Sequence, residues 1–311
     1  MKYLDELLGI KYPVIQGGMA NIATGEFAAA CSNAGGLGLI GAGGIRDTDS
    51  LIAEIRKCKS LTDKPFGVNI MLMHPLADDF AQIVIDEKIP VVTTGAGNPG
   101  KYVDSFKAAG IKVIPVVAAP ILAKHLENLC VDAVIAEGTE SGGHVGEMTT
   151  MTLVPQVVDT VNIPVIAAGG IADHRQFDAA MTLGACGVQV GTCLLASNEC
   201  PIHENYKAAV IKSKGSDTVV TGRIAGTPVR VLKNSMTREY IKKEKEGADK
   251  MDLEKFTLGS LRRAVFEGDT KTGSLMAGQT CGQLKEIRPV ADIFEDICQN
   301  YEKVKAITIG A

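Results

Sequence analysis

Between residues 12 and 192 the chain passes through eight short, apolar, β-branched runs separated by helix-spaced segments. The runs are Tyr12–Met19, Leu37–Ile40, Pro65–Met71, Pro90–Thr94, Ile111–Val117, Asp132–Glu137, Pro164–Gly170 and Gly187–Thr192. Between them the spacing predicts helices over 25–33, 48–59, 76–87, 99–109, 120–129, 152–160 and 173–183. Strict alternation of this kind is the mark of a parallel sheet with crossover helices. The runs are apolar on both faces, as strands covered by helices must be. An open, doubly wound sheet would give the same alternation. Eight units of similar size, with glycine recurring at the strand ends, favour closure into a (β/α)8 TIM barrel.

The last two runs, PVIAAGG and GVQVGT, stop abruptly in glycine. Glycine there removes the Cβ and lets backbone N–H groups face an anion, most often a phosphate. In a (β/α)8 barrel the loops after the seventh and eighth strands are a common phosphate seat. Gly169, Gly170, Gly191 and Thr192 are therefore the candidate anion-binding residues; the alternative is two tight turns that hold nothing.

Two other glycine patterns are look-alikes. Gly36-Leu-Gly38-Leu-Ile-Gly41 matches GxGxxG but falls after a helix and inside a strand, where the dinucleotide fingerprint needs a turn that opens a helix. Gly95 to Lys101 matches the start of a P-loop. The next residue is Tyr102 instead of Ser or Thr, and Pro99 removes an N–H that a phosphate cradle would use.

Catalytic groups of a barrel sit on the C-terminal strand ends. The most unusual loop there is Ala136–Gly146, AEGTESGGHVG, in which His144 stands between Gly142-Gly143 and Val145-Gly146. Such a loop lets backbone approach a ligand while one imidazole projects, able to donate a hydrogen bond or a proton near neutral pH. The alternative is a histidine that caps the following helix. His74, His125, His174 and His203 lie in or beside helices and read as surface groups. Gln16, with Gly17, Gly18 and Met19 behind it, Asn69 and Glu137 end the first, third and sixth strands and are expected at the same mouth. Uncharged amides are costly to bury without partners, which favours a ligand, although loop backbone could also satisfy them.

After about residue 197 the alternation stops. Residues 200–282 are read as a small lid or insertion, with 1–199 and 283–311 forming the barrel and a single terminal helix over Val290–Val304. Residues 223–250 carry eight Lys or Arg against four acids, either a docking face for an acidic partner or a solvated helix. The whole chain has a net charge of −4, which argues against a general nucleic-acid binder. Eight cysteines without a CxxC pair read as reduced, packed thiols, with no metal site. No apolar run reaches the roughly 18 residues of a membrane span, and the first ten residues lack a signal-peptide core. The expected setting is cytoplasmic, away from membranes.

QGGMA at 16–20, KPFGVNIML at 64–72, VVTTGAGNP at 91–99, AEGTESGGHVG at 136–146, TTMTLVPQVVD at 149–159, IPVIAAGGIAD at 163–173, GVQVGT at 187–192 and GSLMAGQ at 273–279 together resemble the flavin-dependent enoyl-acyl-carrier-protein reductases of the FabK type. The nitronate monooxygenases of the same superfamily share the GGH loop and the two phosphate turns. The resemblance covers essentially the whole chain. It implies FMN as cofactor, NADH or NADPH as hydride donor, a trans-2-enoyl thioester on acyl carrier protein as substrate, and His144 acting at the thioester end. Gln16, Gly17, Gly18, Met19, Asn69, Glu137, Gly142, Gly143, Gly169, Gly170, Gly191 and Thr192 are then the expected flavin-site residues. A homodimer is the expected assembly. Oxidation of nitronates is the alternative activity.

Overall fold

The computed structural model describes residues 2–309, so Met1 and the last two residues of the 283–311 segment lie outside it. The barrel strands are β1 (Val14–Gln16), β2 (Gly38–Gly41), β3 (Phe66–Met71), β4 (Val91–Gly95), β5 (Lys112–Val117) and β6 (Val134–Glu137). A two-residue strand, β7 (Gly143–His144), interrupts the series before β8 (Val165–Ala168) and β9 (Gly187–Val190) complete it. The eight barrel strands run in the order β1-β9-β8-β6-β5-β4-β3-β2, every neighbouring pair parallel. The circle closes between β1 and β2 through one bridge, Ile15 to Leu37, with Gln16 N–H donating to Leu37 O at 2.9 Å. The (β/α)8 TIM barrel expected from the alternation is the observed fold.

Two apolar layers follow from the period-two alternation of a strand. Ile15, Leu39, Val91, Ile114, Ile135 and Ile166 fill the barrel interior, and the helix Leu4–Leu8 plugs its N-terminal end with Leu4 and Leu8. The opposite faces of the same strands join the helices in a larger cluster that holds Phe27, Phe80, Phe106, Phe177 and Phe294. Each such side chain contributes about 1.5–3 kcal/mol by leaving water. Helix starts are set locally: Thr24 accepts from Phe27 N–H, Asp47 from Ser50 N–H, and Asp173 forms a capping box with Gln176.

The GxGxxG look-alike is explained by packing. A Cβ on Gly38 would run into the Ala28 carbonyl of helix Gly25–Asn33, and one on Gly36 would lie 2.6 Å from the Phe294 ring. Lys101 of the P-loop look-alike pairs with Asp78 at 2.6 Å.

Residues 200–282 start with helix Glu204–Lys212, whose Tyr206 and Val210 enter the larger cluster. The hairpin β10 (Thr218–Thr221) and β11 (Val229–Leu232) follows. Helices Ser235–Lys245 and Lys250–Thr257 come next and share a small separate core of Met236, Tyr240 and Leu253. At the C-terminus, the one helix expected over 290–304 is two, Val290–Cys298 and Tyr301–Ile309. The break lets Asn300 bond Asp178 at 2.8 Å and Tyr301 reach Asp5 at 2.8 Å, tying the end of the chain to its start. All eight cysteines are free thiols, buried except Cys130, and no metal-binding cluster occurs among the described residues. No described helix is long and apolar enough to cross a membrane.

Candidate active site

The C-terminal layer of the barrel interior is polar. Asn69 on β3 lies in register with Thr93 on β4, and its amide nitrogen donates to Thr93 Oγ1 at 2.9 Å. Glu137 on β6 is in register with Ala168 on β8, and Ala168 with Gln189 on β9. Gln189 is buried among these strands, and its Oε1 has no hydrogen-bond partner among the described residues. An unpartnered buried amide oxygen is expensive, and a ligand that donates to it removes the cost. Thr93 and Gln189 are absent from the sequence-based set. The available signal was polar residues inside otherwise apolar runs: Thr93-Thr94 in VVTTG and Gln189 in GVQVGT.

Gln16 departs from expectation. Ile15 points into the barrel, so Gln16 points away from it. Its Oε1 accepts from Leu39 N–H at 3.1 Å and its Nε2 donates to Leu39 O at 3.2 Å. The side chain stands in for a peptide group across the thinly bonded β1–β2 seam. Its amide closes the barrel instead of reading a ligand.

The phosphate-type cradle has the expected residues in a suitable form. Gly169 and Gly170 have φ of +89° and +73°, and a Cβ on Gly169 would lie 2.7 Å from Gly138 O. Across from them, Gly191 and Thr192 open a 3-10 turn, Thr192–Ala196. Among the described residues, the N–H groups of Gly169, Gly170 and Gly191 donate to no protein acceptor. Successive unpaired N–H groups of this kind form an anion nest. The loop after β1 spans from here to the polar layer. Gly17 N–H bonds Val190 O at 2.8 Å, Met19 Sδ would be 3.6 Å from a Cβ on Gly191, and a Cβ on Gly18 would collide with Asn69. A nest joined to a polar floor fits the phosphate and the hydrogen-bonding edges of FMN.

Glu140, also absent from the sequence-based set, fills the N-terminus of helix Thr150–Thr160. Its carboxylate accepts from Thr150 N–H at 2.9 Å and Thr150 Oγ1 at 2.9 Å. That helix end is therefore already satisfied.

His144 is held by an element far away in sequence. As part of β7 it pairs antiparallel with Val229 of β11, while Gly143 faces Arg230, so loop 138–146 and residues 218–232 share one three-stranded sheet. Arg230 is buried, donating from Nε to Thr139 O at 2.9 Å and from Nη1 to Thr218 Oγ1 at 3.0 Å. Gly142 packs on the returning segment, where a Cβ would lie 2.8 Å from the Ala277 backbone. Gln279 N–H bonds Glu140 O at 2.9 Å and Gly278 N–H bonds Thr192 Oγ1 at 2.8 Å. The histidine loop, the cradle and segment 277–279 thus meet at one junction. His144 stands at the edge of a cavity of about 380 Å3, and desolvation holds its imidazole below the ordinary value. Burial pushes the Glu137 carboxyl up to about 7, against the opposing hydrogen bond from Ser141 Oγ at 3.2 Å.

The other histidines do local work: His74 accepts from Leu76 N–H, His203 caps helix Glu204–Lys212, His125 contacts Asn98 and His174 lies near Asp296. The basic stretch is less free than its count suggests. Arg230 is buried, Arg223 pairs with Glu147, and Lys243 lies 3.6 Å from Glu239. Arg238, Lys242 and Lys245 remain exposed on helix Ser235–Lys245.

The sequence model of the nitronate monooxygenase family matches residues 2–85 and 80–300. A probable nitronate monooxygenase of Staphylococcus saprophyticus is 36% identical over 321 residues, covering 88% of this chain and 90% of its own. The structure of FabK from Thermotoga maritima superposes with a TM-score of 0.94 at 50% identity, covering 100% of this chain and 99% of its own. The nitroalkane oxidase of Streptomyces ansochromogenes superposes with a TM-score of 0.84 at 27% identity, covering 96% of this chain and 98% of its own. With barrel, cradle and histidine loop matched along nearly its whole length, the chain is an oxidoreductase of the nitronate monooxygenase family, the superfamily that also holds FabK.

Proposed function

We propose that this protein is an FMN-dependent enoyl-acyl-carrier-protein reductase that uses NADH or NADPH. The observation that carries this reading is the end-to-end match to FabK at 50% identity, which includes residues 200–282 as well as the barrel. FMN bound at the mouth supplies hydride transfer from the reduced nicotinamide to the β-carbon of a trans-2-enoyl thioester. Gly169, Gly170, Gly191 and Thr192 would hold its phosphate, and Asn69, Glu137 and Gln189 would meet its polar groups. Gly17, Gly18 and Met19, with Gly142 and Gly143, would supply the loops that let it approach the backbone. Negative charge develops on the thioester oxygen as hydride reaches the β-carbon. His144 answers that charge as a hydrogen-bond donor, and the α-carbon takes its proton from the imidazole or from water. Residues 200–282 act as a lid, and the exposed Arg238, Lys242 and Lys245 meet the acidic carrier protein.

The second reading, oxidation of nitronates, draws on the curated relatives named for that activity. One set of measurements separates the two: anaerobic flavin bleaching by NADH or NADPH, then turnover of crotonyl thioesters and of alkyl nitronates. The reductase reading expects bleaching and higher kcat/KM on the thioester. It also expects the carrier-protein substrate to lose more than its coenzyme A analogue as salt rises. Rapid nitronate oxidation with no bleaching by either nicotinamide would overturn it.

A further inference from the structure

Gly278 is buried where the cradle, the histidine loop and the returning segment meet. Its backbone, at φ −79° and ψ 174°, is ordinary extended chain, so the local conformation does not demand glycine. Close approach does. A Cβ there would lie 2.5 Å from Glu140 O, 3.0 Å from Thr192 Oγ1 and 3.1 Å from Gly142 N. The residues just before it are anchored separately: Tyr206 donates to Met276 O at 2.8 Å, and Leu232 N–H to Leu275 O at 2.8 Å. Residues 277–279 are then the piece that spans from the cradle to the loop.

Thr192 Oγ1 accepts from Gly278 N–H at 2.8 Å, which leaves its own O–H to donate. Among the described residues no protein oxygen takes that proton, and Gly191 beside it has an N–H without a protein acceptor. A phosphate oxygen seated on the nest is the acceptor this geometry leaves open. A hydroxyl that donates to an anion becomes a better acceptor, because hydrogen bonds in a chain polarise one another. An occupied nest therefore tightens the hold of Thr192 on Gly278. The next residue passes the constraint on, since Gln279 N–H bonds the carbonyl of Glu140, four residues before His144.

Resting on the proposal that the cradle holds the FMN phosphate, which both activities share, we infer that Gly278 is a positioning residue that links that phosphate, through Thr192, to the order of the histidine loop. The linkage is reciprocal: a phosphate that steadies 277–279 binds more tightly when 277–279 is in place. The histidine is then set in position only when the cofactor it works beside is bound.

The test compares FMN with riboflavin, which has the same ring and ribityl chain but no phosphate, on the whole chain stripped of flavin and reloaded. Calorimetry gives the two affinities. Hydrogen exchange read by mass spectrometry gives the opening of residues 138–146 and 273–281 at saturation with each. FMN should slow exchange in both stretches by on the order of tenfold more than riboflavin does. Thr192→Val should abolish that difference, and Thr192→Ser should keep it. Gly278→Ala should weaken FMN by about fivefold or more and leave riboflavin unchanged, whereas a general loss of packing would weaken both flavins alike. Thr192→Val adds no bulk and covers the case in which Gly278→Ala does not fold. Equal protection by the two flavins, with FMN the tighter ligand, would overturn the linkage, and so would equal losses of both in Gly278→Ala. FMN that binds no more tightly than riboflavin would remove the phosphate seat itself, and the inference with it.

Discussion

Gly170 and Gly191 are chemically identical, but their backbones make them unequal probes of the cradle. Gly170 has φ of +73°, so any side chain there strains the backbone, whatever the ligand does. Gly191 has φ of −134°, outside the left-handed region, and a Cβ there would meet only Met19 Sδ at 3.6 Å. Gly191→Val should therefore fold normally while placing two methyl groups over the nest. The expected result is colourless protein whose thermal midpoint matches that of flavin-stripped wild type. Full retention of FMN would put the phosphate elsewhere. The same local reading separates the two glutamines. Gln16 and Gln189 each sit in a strand, but Gln16 faces outward and completes the β1–β2 seam, whereas Gln189 faces inward with an unpartnered oxygen.

At the scale of elements, the histidine loop is not a free loop. Only two residues, Gly143 and His144, pair with β11, and Arg230 reinforces that pairing through Thr139 O. A catalytic side chain displaced by about 1 Å can lose on the order of a hundredfold in rate. Arg230→Gln should accordingly slow the thioester half-reaction by about tenfold or more, with flavin reduction by the nicotinamide much less affected. Stopped-flow traces of the two half-reactions check this, and equal losses in both would mean that Arg230 supports residues 200–282 in general and not His144 in particular. The sequence offered His144 by its glycine setting and Arg230 only as one charge in a basic run. Their pairing joins segments distant along the chain, and no local pattern encodes that register.

For the whole molecule, the polar floor of the barrel has a measurable cost. Glu137 keeps its proton up to about pH 7 in the folded state, above the ordinary carboxylate value of the unfolded chain. Below that ordinary value both states are protonated and the group is neutral to stability. As pH rises through the window up to 7 the unfolded state ionises first, so the folded protein is progressively disfavoured, by about 3 kcal/mol at the upper end. Glu137→Gln should remove this slope in flavin-free protein, raising denaturant stability at pH 8 and leaving it unchanged at pH 4. An equal effect at both values would show that the carboxyl is not desolvated as described.

What the sequence alone determined is what local chemistry can carry. Alternating apolar runs and helix spacings fix a parallel α/β sheet, and glycine at the ends of the last two runs marks the nest, because backbone N–H groups need no distant partner to be exposed there. Thr24, Asp47 and Asp173 mark helix starts for the same reason. Only the tertiary structure decided the direction and company of each side chain. Closure through a single Ile15–Leu37 bridge turned Gln16 into a seam residue, and strand register put Thr93 and Gln189 on the floor with Asn69 and Glu137. Pairing of β7 with β11 made His144 part of the three-stranded sheet. A period-two pattern states that residues alternate between two faces, but which face is the interior depends on how the sheet closes, and that is a property of all eight strands together.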